Sequence, residues 1–436
     1  MRVLHVGNVA NNAYLNAKLQ RRAGIEADAL CDEWHLFSQP EWEDAPLEGS
    51  FDELERLTEA AARVGWQRPP WVFVQDVWSD DPAGVGRLSE RVRLAASIPR
   101  LVPLYRELRR EYEPLRTVLD TDLRFVDLLR ATNWRKRLDR TVTPLAPLFR
   151  RYDVVQANGP HPILCLLAGT HGPWIAFEHG TLREIPFQDS WMGRLLSVAY
   201  RRAHKVVLTN SDTIAAARRL GLENTEFVPH PIDETKYAPG PSHLRERLDA
   251  EERFLLLSPS SHNWHIKGND VLLQAFAAFV REARSDALLV TTEWGLDLDR
   301  SRNLIAALGI GGHVRWVPPL PKWQLIDAYR AADVVLDQFL IGTFGAVAPE
   351  AMACGRPVVM AFDADVHRWC FSELPPILAA RTPDEIVGAL VRLAERPDEG
   401  ERIGREGRRW IESHHSWRLV VNRYRAIYDE ALAAYS

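Results

Sequence analysis

The chain has little cysteine and no long apolar run. Its four cysteines lie far apart and form no C-x-x-C pair, which argues against a zinc site or a disulfide framework. No stretch reaches the roughly 18 uncharged apolar residues that indicate a membrane-spanning helix. The first residues enter a strand-like run directly, without the long apolar segment of a signal peptide. We therefore expect a cytoplasmic protein.

A strong net charge of either sign is also absent. The formal net charge is −5 over 436 residues, which gives no general attraction to nucleic acid. The length is sufficient for two domains, each with its own core. We expect two domains and no nucleic-acid partner.

The most informative stretch runs from Asp333 to Met360. The short apolar run D-V-V-L-D has the character of a strand and is followed by a loop with glycine at Gly342 and Gly345. A short helix is predicted over 348–353, and Gly355 ends it before the next apolar run. A glycine loop before a helix brings backbone N–H groups to one point, which suits a diphosphate.

Residues 344–359, F-G-A-V-A-P-E-A-M-A-C-G-R-P-V-V, resemble the signature of the retaining GT-B glycosyltransferases of family 4, also called glycosyl transferases group 1. The resemblance implies an α/β fold of two Rossmann-like domains facing a central cleft, with a C-terminal helix that crosses back to the first domain. It also implies a nucleotide sugar held by the glycine loop, and a glutamate, here Glu350, that holds the ribose. The loop residues concerned are Thr343, Phe344, Gly345 and Ala346. The alternative is an ordinary βαβ turn without a ligand.

The family pattern has a first glutamate eight positions before the second, where this chain has Gly342. That glutamate reaches the donor sugar in the family. We expect Gly342 to leave room where the family has a side chain. Asp337, five residues earlier, is a possible replacement.

The loop that precedes the helix near 270–283 carries Lys267 and Gly268. In the family, this lysine and an arginine five residues before it neutralise the departing diphosphate. The arginine position is His262 here. We therefore expect Lys267, Gly268 and, when protonated, His262 to contact the diphosphate.

The first domain supplies further candidates at the ends of predicted strands. His179 follows the apolar run 174–177, and in the family a histidine at this place touches the donor sugar. The first loop contains Asn8, Asn11 and Asn12, which are candidates for contacts with donor phosphates or acceptor. Capping and turn formation explain these asparagines equally well.

The predicted first domain covers 1–237 together with the terminal helix 417–436, and the second covers 243–416. Between them the segment 234–242 contains P-G-P and reads as a linker.

The segment 100–151 is locally basic, with 13 Arg and Lys residues against seven Asp and Glu residues. A basic helix of this kind is more often a solvated face than a membrane-binding one. We keep peripheral contact with the inner face of the membrane as a hypothesis, because enzymes of the resembled type often use lipid-linked acceptors.

Asp363, Asp365 and His367 alternate after a predicted strand, but they lack a fourth ligand at suitable spacing and favour a simple loop over a metal site. The resemblance implies no metal and no further cofactor, since a cation and a helix N-terminus meet the diphosphate.

The function that follows is transfer of a sugar from a nucleoside-diphosphate sugar to an acceptor hydroxyl, with retention, in glycan or glycolipid biosynthesis. His179, Lys267 and Glu350 are the expected catalytic residues, and the acceptor is a glycan or a lipid-linked molecule. Two alternatives remain. One is a non-catalytic binding protein of GT-B shape, and the other is a GT-B-like sugar-nucleotide epimerase.

Overall fold

The computed structural model describes residues 1–32, 35–49, 54–75, 98–141, 145–343 and 345–435. The chain divides into two compact units. The first unit comprises 1–40, 68–230 and 420–436, and the second comprises 41–67 and 231–419.

The first unit is built on a sheet of seven strands in the spatial order β3-β2-β1-β4-β5-β6-β7. All of its strand pairs are parallel. The central strands carry apolar side chains on both faces, as expected for a sheet covered by helices on both sides. The strands are Arg2–Val6 (β1), Glu26–Asp32 (β2), Val72–Gln75 (β3), Val154–Asn158 (β4), Trp174–Glu178 (β5), Lys205–Leu208 (β6) and Thr225–Phe227 (β7).

Helices connect these strands, so the chain alternates strand and helix as the apolar pattern predicted. Within the described residues, the α-helices of the first unit are Asn12–Arg22, Ile98–Leu119, Phe125–Thr141, Leu145–Phe149, Pro162–Ala168, Trp191–Arg202 and Thr213–Arg219.

The C-terminal helix, Trp417–Tyr435, contributes its residues from 420 onwards to the first unit. Tyr428 is fully buried, and its hydroxyl donates to Gln156 Oε1 at 2.6 Å and accepts from Gln20 Nε2 at 2.9 Å. Buried hydrogen bonds of this kind fix the helix in place. The predicted return of the terminal helix to the first domain is confirmed.

The second unit has a six-stranded parallel sheet in the order β10-β9-β8-β11-β12-β13. Its strands are Leu255–Ser258 (β8), Leu288–Thr292 (β9), Val314–Val317 (β10), Val334–Leu336 (β11), Val358–Met360 (β12) and Leu378–Ala379 (β13). The α-helices of this unit between described residues are Pro40–Asp44, Leu54–Arg63, Leu244–Arg247, Trp264–Lys267, Asn269–Glu282, Leu298–Leu308, Lys322–Ala331, Val347–Ala353, Ala364–His367, Pro383–Glu395 and Pro397–His414. Its core lies between the sheet and these helices.

The segment 41–67 groups with the second unit, although the predicted division assigned it to the first. Lys236 Nζ lies 2.7 Å from Glu43 Oε1 and 3.3 Å from Asp44 Oδ1, and these side chains are almost completely buried. Trp323 Nε1 also donates to Asp44 O at 2.9 Å. These contacts join residues that are 192 to 279 positions apart in the chain. No local sequence pattern in 41–67 could therefore predict them.

Among the residues that the structure describes, no helix is long and apolar enough to cross a membrane.

Candidate active site

The glycine loop follows β11 and leads into the helix Val347–Ala353. Gly355 has φ +75°, a left-handed conformation that suits glycine at a helix end, and β12 begins three residues later. The predicted strand, loop, helix and strand are all present. Gly345 and Ala346, immediately before the helix, are exposed, and Phe344 lies outside the described residues.

Backbone hydrogen bonds tie the loop to both of its neighbours in the sheet. Phe339 N donates to Lys267 O at 2.8 Å, and Asp363 N donates to Gly342 O at 2.9 Å. Within the loop, the side-chain amide of Gln338 donates to the backbone carbonyl of Thr343, which is itself buried. The loop is therefore held from both sides at the carboxyl edge of the sheet, where parallel α/β sheets bind ligands.

Lys267 ends the short helix Trp264–Lys267. Its Nζ donates to Gln338 Oε1 at 2.9 Å, and among the described residues no carboxylate forms an ion pair with it. An ammonium group has three donors, so two remain for a ligand. Gly268 has φ +66°, and a Cβ at this position would lie 3.1 Å from Leu340 Cγ, which explains why glycine follows the lysine.

Glu350 is buried in the first turn of the helix after the loop. Its Oε1 forms an ion pair with Lys322 Nζ and accepts from Tyr237 Oη at 3.4 Å, while Oε2 accepts from Tyr329 Oη at 3.1 Å. Burial and then the Glu350 charge raise the pKa of both tyrosines well above their ordinary range. The carboxylate that was expected to hold the ribose is thus engaged already, and Oε2 retains the most acceptor capacity.

Lys322 was not identified from the sequence. It begins the helix Lys322–Ala331, seven residues before Tyr329. Positions seven apart share one face of a helix, and both side chains reach Glu350. The seven-residue spacing shows that Lys322 and Tyr329 share a helix face, but it identifies Lys322 as a site residue only once Glu350 is known to contact that face.

Gly342 does not leave the room that was expected. A Cβ built on it would lie 2.6 Å from Arg381 Nη2 and 2.7 Å from Asp363 Cβ. These distances are shorter than ordinary van der Waals contact, so the space is occupied by the two later side chains. The expectation of an open position at Gly342 is wrong.

Asp337 is also unsuited to replace the missing carboxylate at the surface of the loop. Its side chain is buried, and Oδ1 accepts from Ser260 Oγ at 2.8 Å. The carboxylate is therefore buried and not presented at the surface of the loop.

His262 is buried, with Nδ1 2.8 Å from Ser301 Oγ and Nε2 3.1 Å from Thr291 Oγ1. Burial lowers the pKa of this imidazole to about 4, because the protonated ring loses its hydration. His262 is therefore neutral near pH 7. The expectation of a protonated His262 at the diphosphate is wrong, and the ring instead joins β9 to the helix Leu298–Leu308.

Asp363 caps the helix Ala364–His367 by accepting from the backbone amides of Asp365 and Val366 at 3.1 and 3.4 Å. His367 Nδ1 lies 2.7 Å from Asp363 O. The described residues contain no group of three His, Cys, Asp or Glu side chains arranged to hold a metal ion. The alternation of these residues is explained by helix capping.

In the first unit, Asn8 and Asn11 organise the loop after β1. Asn8 Nδ2 donates to Asn11 Oδ1 at 2.9 Å, and Asn8 Oδ1 accepts from Tyr14 N at 2.9 Å. Asn11 is left-handed, with φ +60°, and its amide donates to Gln39 O at 2.7 Å. Asn12 Nδ2 donates to Val9 O at 2.8 Å and is only partly buried. Turn formation within 8–14 and the contact with the chain at Gln39 account for these hydrogen bonds, and a ligand role remains a prediction.

His179 directly follows β5, at the carboxyl edge of the first sheet, and is partly exposed. Its Nε2 lies 3.6 Å from the Cβ that a side chain at Gly159 would have. The preceding Glu178 is buried and accepts from the backbone amides of Gly180 and Leu182. Glu178 thereby shapes the turn that carries the histidine. His179 belongs to the first unit, whereas Lys267 and Glu350 belong to the second.

Residues 242–410 match the family model described as glycosyl transferases group 1. We call these matching residues the group 1 region. The group 1 region includes Lys267, Gly342, Glu350 and Arg381, whereas Asn8 and Asn12 lie outside it, as does His179.

Curated relatives are similar to part of the chain. A D-inositol 3-phosphate glycosyltransferase from Saccharomonospora viridis is 32% identical over 214 residues, which cover 47% of this chain and 49% of the relative. One from Salinispora arenicola is 32% identical over 225 residues, covering 49% of each. The chain thus spans about half the length of the curated relatives it matches.

Solved structures are similar over the whole chain. Anabaena Alr3699/HepE in complex with UDP and glucose has a TM-score of 0.65 at 16% identity, covering 99% of this chain and 100% of that one. Sucrose-phosphate synthase from Thermosynechococcus elongatus has a TM-score of 0.62 at 15% identity and covers 100% of both chains. At this level of identity the similarity establishes the fold. The fold is GT-B, as the resemblance of residues 344–359 implied.

Proposed function

We propose that the protein is a glycosyltransferase that moves a sugar from a nucleoside-diphosphate sugar to an acceptor hydroxyl. The observation that carries the proposal is Lys267, whose ammonium is held by Gln338 against the glycine loop without a carboxylate partner among the described residues. A cation placed in this way suits a departing diphosphate, because that group gains negative charge as the glycosidic bond breaks.

The group 1 region supplies the donor contacts in this proposal. Lys267 and the exposed backbone of Gly345 and Ala346 meet the diphosphate. Glu350 binds the ribose through Oε2, with Lys322 holding the carboxylate in place. Since Lys267 provides the positive charge, the proposed reaction requires no metal cofactor.

His179 is proposed to orient the transferred sugar. Its place at the end of β5 is a typical position for a ligand-binding side chain of an α/β sheet. Transfer with retention of anomeric configuration is proposed from the family that the group 1 region resembles.

The acceptor is proposed to be a glycan or a lipid-linked molecule, reached by a protein that works in the cytoplasm on the inner face of the membrane. The helix Ile98–Leu119 supports this. It lines a groove of about 890 Å³ with Arg106, Arg109 and Arg110 beside Tyr105 and Phe125. Exposed arginines next to aromatic rings suit anionic headgroups and the lipid interface.

A second candidate is a GT-B-shaped binding protein without turnover. Two observations favour it: the family glutamate is replaced by Gly342, and the family arginine by a neutral, buried His262. Both changes remove charged groups from the proposed donor site.

Turnover separates the two candidates. The protein is incubated without metal with a panel of nucleotide sugars and an acceptor extract, and release of nucleoside diphosphate is measured. Release that depends on acceptor supports transfer. Binding of a nucleotide sugar without release supports the second candidate, and a changed sugar on the recovered nucleotide would indicate epimerisation.

A further inference from the structure

Arg381 reaches the glycine loop from the far edge of the second sheet. It lies just beyond β13, and its Nη1 donates to Leu340 O at 3.4 Å. Its Nη2 lies 2.6 Å from the position of a Cβ on Gly342. The guanidinium group therefore occupies the place that a side chain at 342 would take.

The guanidinium of Arg381 interacts electrostatically with the nearby Glu385 without pairing with it. Within the described part of the chain, Arg381 forms no ion pair, and the nearby Glu385 accepts from its backbone amide instead. Asp363, whose Cβ also faces Gly342, directs its Oδ1 to the backbone amides that begin the next helix. A guanidinium has five N–H donors, and one of those on Nη1 is used by Leu340 O, so most of the set remains ready for an anion.

Two cationic side chains from outside the loop 338–343 contact it at different points. Lys267 holds Gln338 at the start of the loop. Arg381 contacts Leu340 and Gly342 farther along it. In the proposed function Lys267 and the loop amides meet the diphosphate, so Arg381 is available for the group attached to it.

We propose that Arg381 determines donor specificity by binding an acidic group, a carboxylate, on the sugar of the nucleotide sugar. The inference rests on the proposed function. A carboxylate side chain at position 342 would repel an acidic sugar, whereas this chain has glycine there with a guanidinium above it. The planar fork of arginine pairs with a carboxylate through two parallel hydrogen bonds, which a neutral sugar does not provide.

Calorimetry on the full chain tests this inference with three ligands: UDP, UDP-glucose and UDP-glucuronate. The same series is run with GDP, GDP-mannose and GDP-mannuronate. The variants are Arg381→Gln and, as a matched control, Arg368→Gln, which removes an exposed arginine paired with Asp365 at 3.3 Å. We expect the acidic conjugate to bind at least tenfold more tightly than the neutral one in the unsubstituted protein and in the control. Arg381→Gln should abolish that preference and leave binding of the free diphosphate within twofold.

Three other outcomes are informative. Equal affinity for acidic and neutral conjugates in the unsubstituted protein overturns the inference and leaves the proposed function standing. Equal weakening of free diphosphate and both conjugates by Arg381→Gln also overturns it, by assigning Arg381 to the diphosphate. If neither nucleoside diphosphate binds, the proposed nucleotide site is itself wrong, and the inference falls with it. Thermal unfolding of each variant verifies that it is folded.

Discussion

Lys322 and Glu350 form an ion pair whose side chains are only 18% and 6% exposed. Two tyrosine hydroxyls complete the surroundings of the carboxylate. The net contribution of such a buried pair to the free energy of unfolding is small, because the cost of desolvation offsets much of the attraction between the charges. Removing one partner, however, leaves an uncompensated buried charge.

Lys322→Met should therefore destabilise the protein by about 3 kcal/mol, since it leaves the buried Glu350 carboxylate without its cation. It should also weaken binding of a nucleoside diphosphate, because the carboxylate loses its orientation. Chemical denaturation and calorimetry measure the two effects. Lys322→Arg retains the charge and serves as the control. A Lys322→Met protein as stable as the original would show that Glu350 does not depend on the lysine.

Replacement of Lys267 addresses the proposed chemistry. Lys267→Gln should lower kcat by about 10²-fold or more, the usual effect of losing one group that stabilises transition-state charge. Lys267→Arg should recover part of the loss, because a cation is restored at the same loop. Steady-state assays with the preferred donor decide the matter, and an unchanged kcat in Lys267→Gln would remove the diphosphate role.

His262 makes a prediction about pH. Burial lowers its pKa to about 4 from an ordinary value near 6.5. Between these two values the unfolded chain binds more protons than the folded one, so stability falls as the pH is lowered through this window. His262→Gln lacks the titrating group. Its free energy of unfolding, measured between pH 7 and pH 4, should fall less steeply than that of the unsubstituted protein. Parallel curves would show that His262 titrates normally in the folded state.

The arginine groove makes a prediction about membranes. Vesicles containing phosphatidylglycerol should bind the protein at low salt and release it as salt is raised, whereas neutral vesicles should not bind it. Replacing Arg106, Arg109 and Arg110 together by Gln should abolish binding. The matched control replaces Arg63, Arg402 and Arg405, which are exposed and paired with glutamates one turn away. Equal loss of binding in the control, or no binding to either vesicle, would contradict the membrane hypothesis.

The parts of the site that were predictable from the sequence are those determined by local chemistry. The glycine loop, the helix after it and Gly355 at its end follow from residues adjacent in the chain. Lys267 and Gly268 were readable because the resembled family has a lysine followed by glycine in this loop, although the close packing of the distant Leu340 against Gly268 was not.

The surroundings of Gly342 and His262 were not predictable, because they depend on distant residues. Arg381 lies 39 positions after Gly342, and Ser301 lies 39 positions after His262. Nothing near either residue announces these neighbours. For this reason Gly342 was predicted to leave open space, and the buried, neutral His262 was predicted to be a cation.

The segment 41–67 has a consequence for protein engineering. Its Glu43 and Asp44 neutralise Lys236, yet the segment precedes most of the first unit in the chain. A chimaera that joins the first half of another protein of this fold to this chain at residue 230 would keep the lysine and discard both carboxylates. Such a fusion would bury an ammonium group without its partners, at a cost of several kcal/mol. The unit of exchange between relatives is therefore a discontinuous one, and a working hybrid has to carry 41–67 together with 231–419.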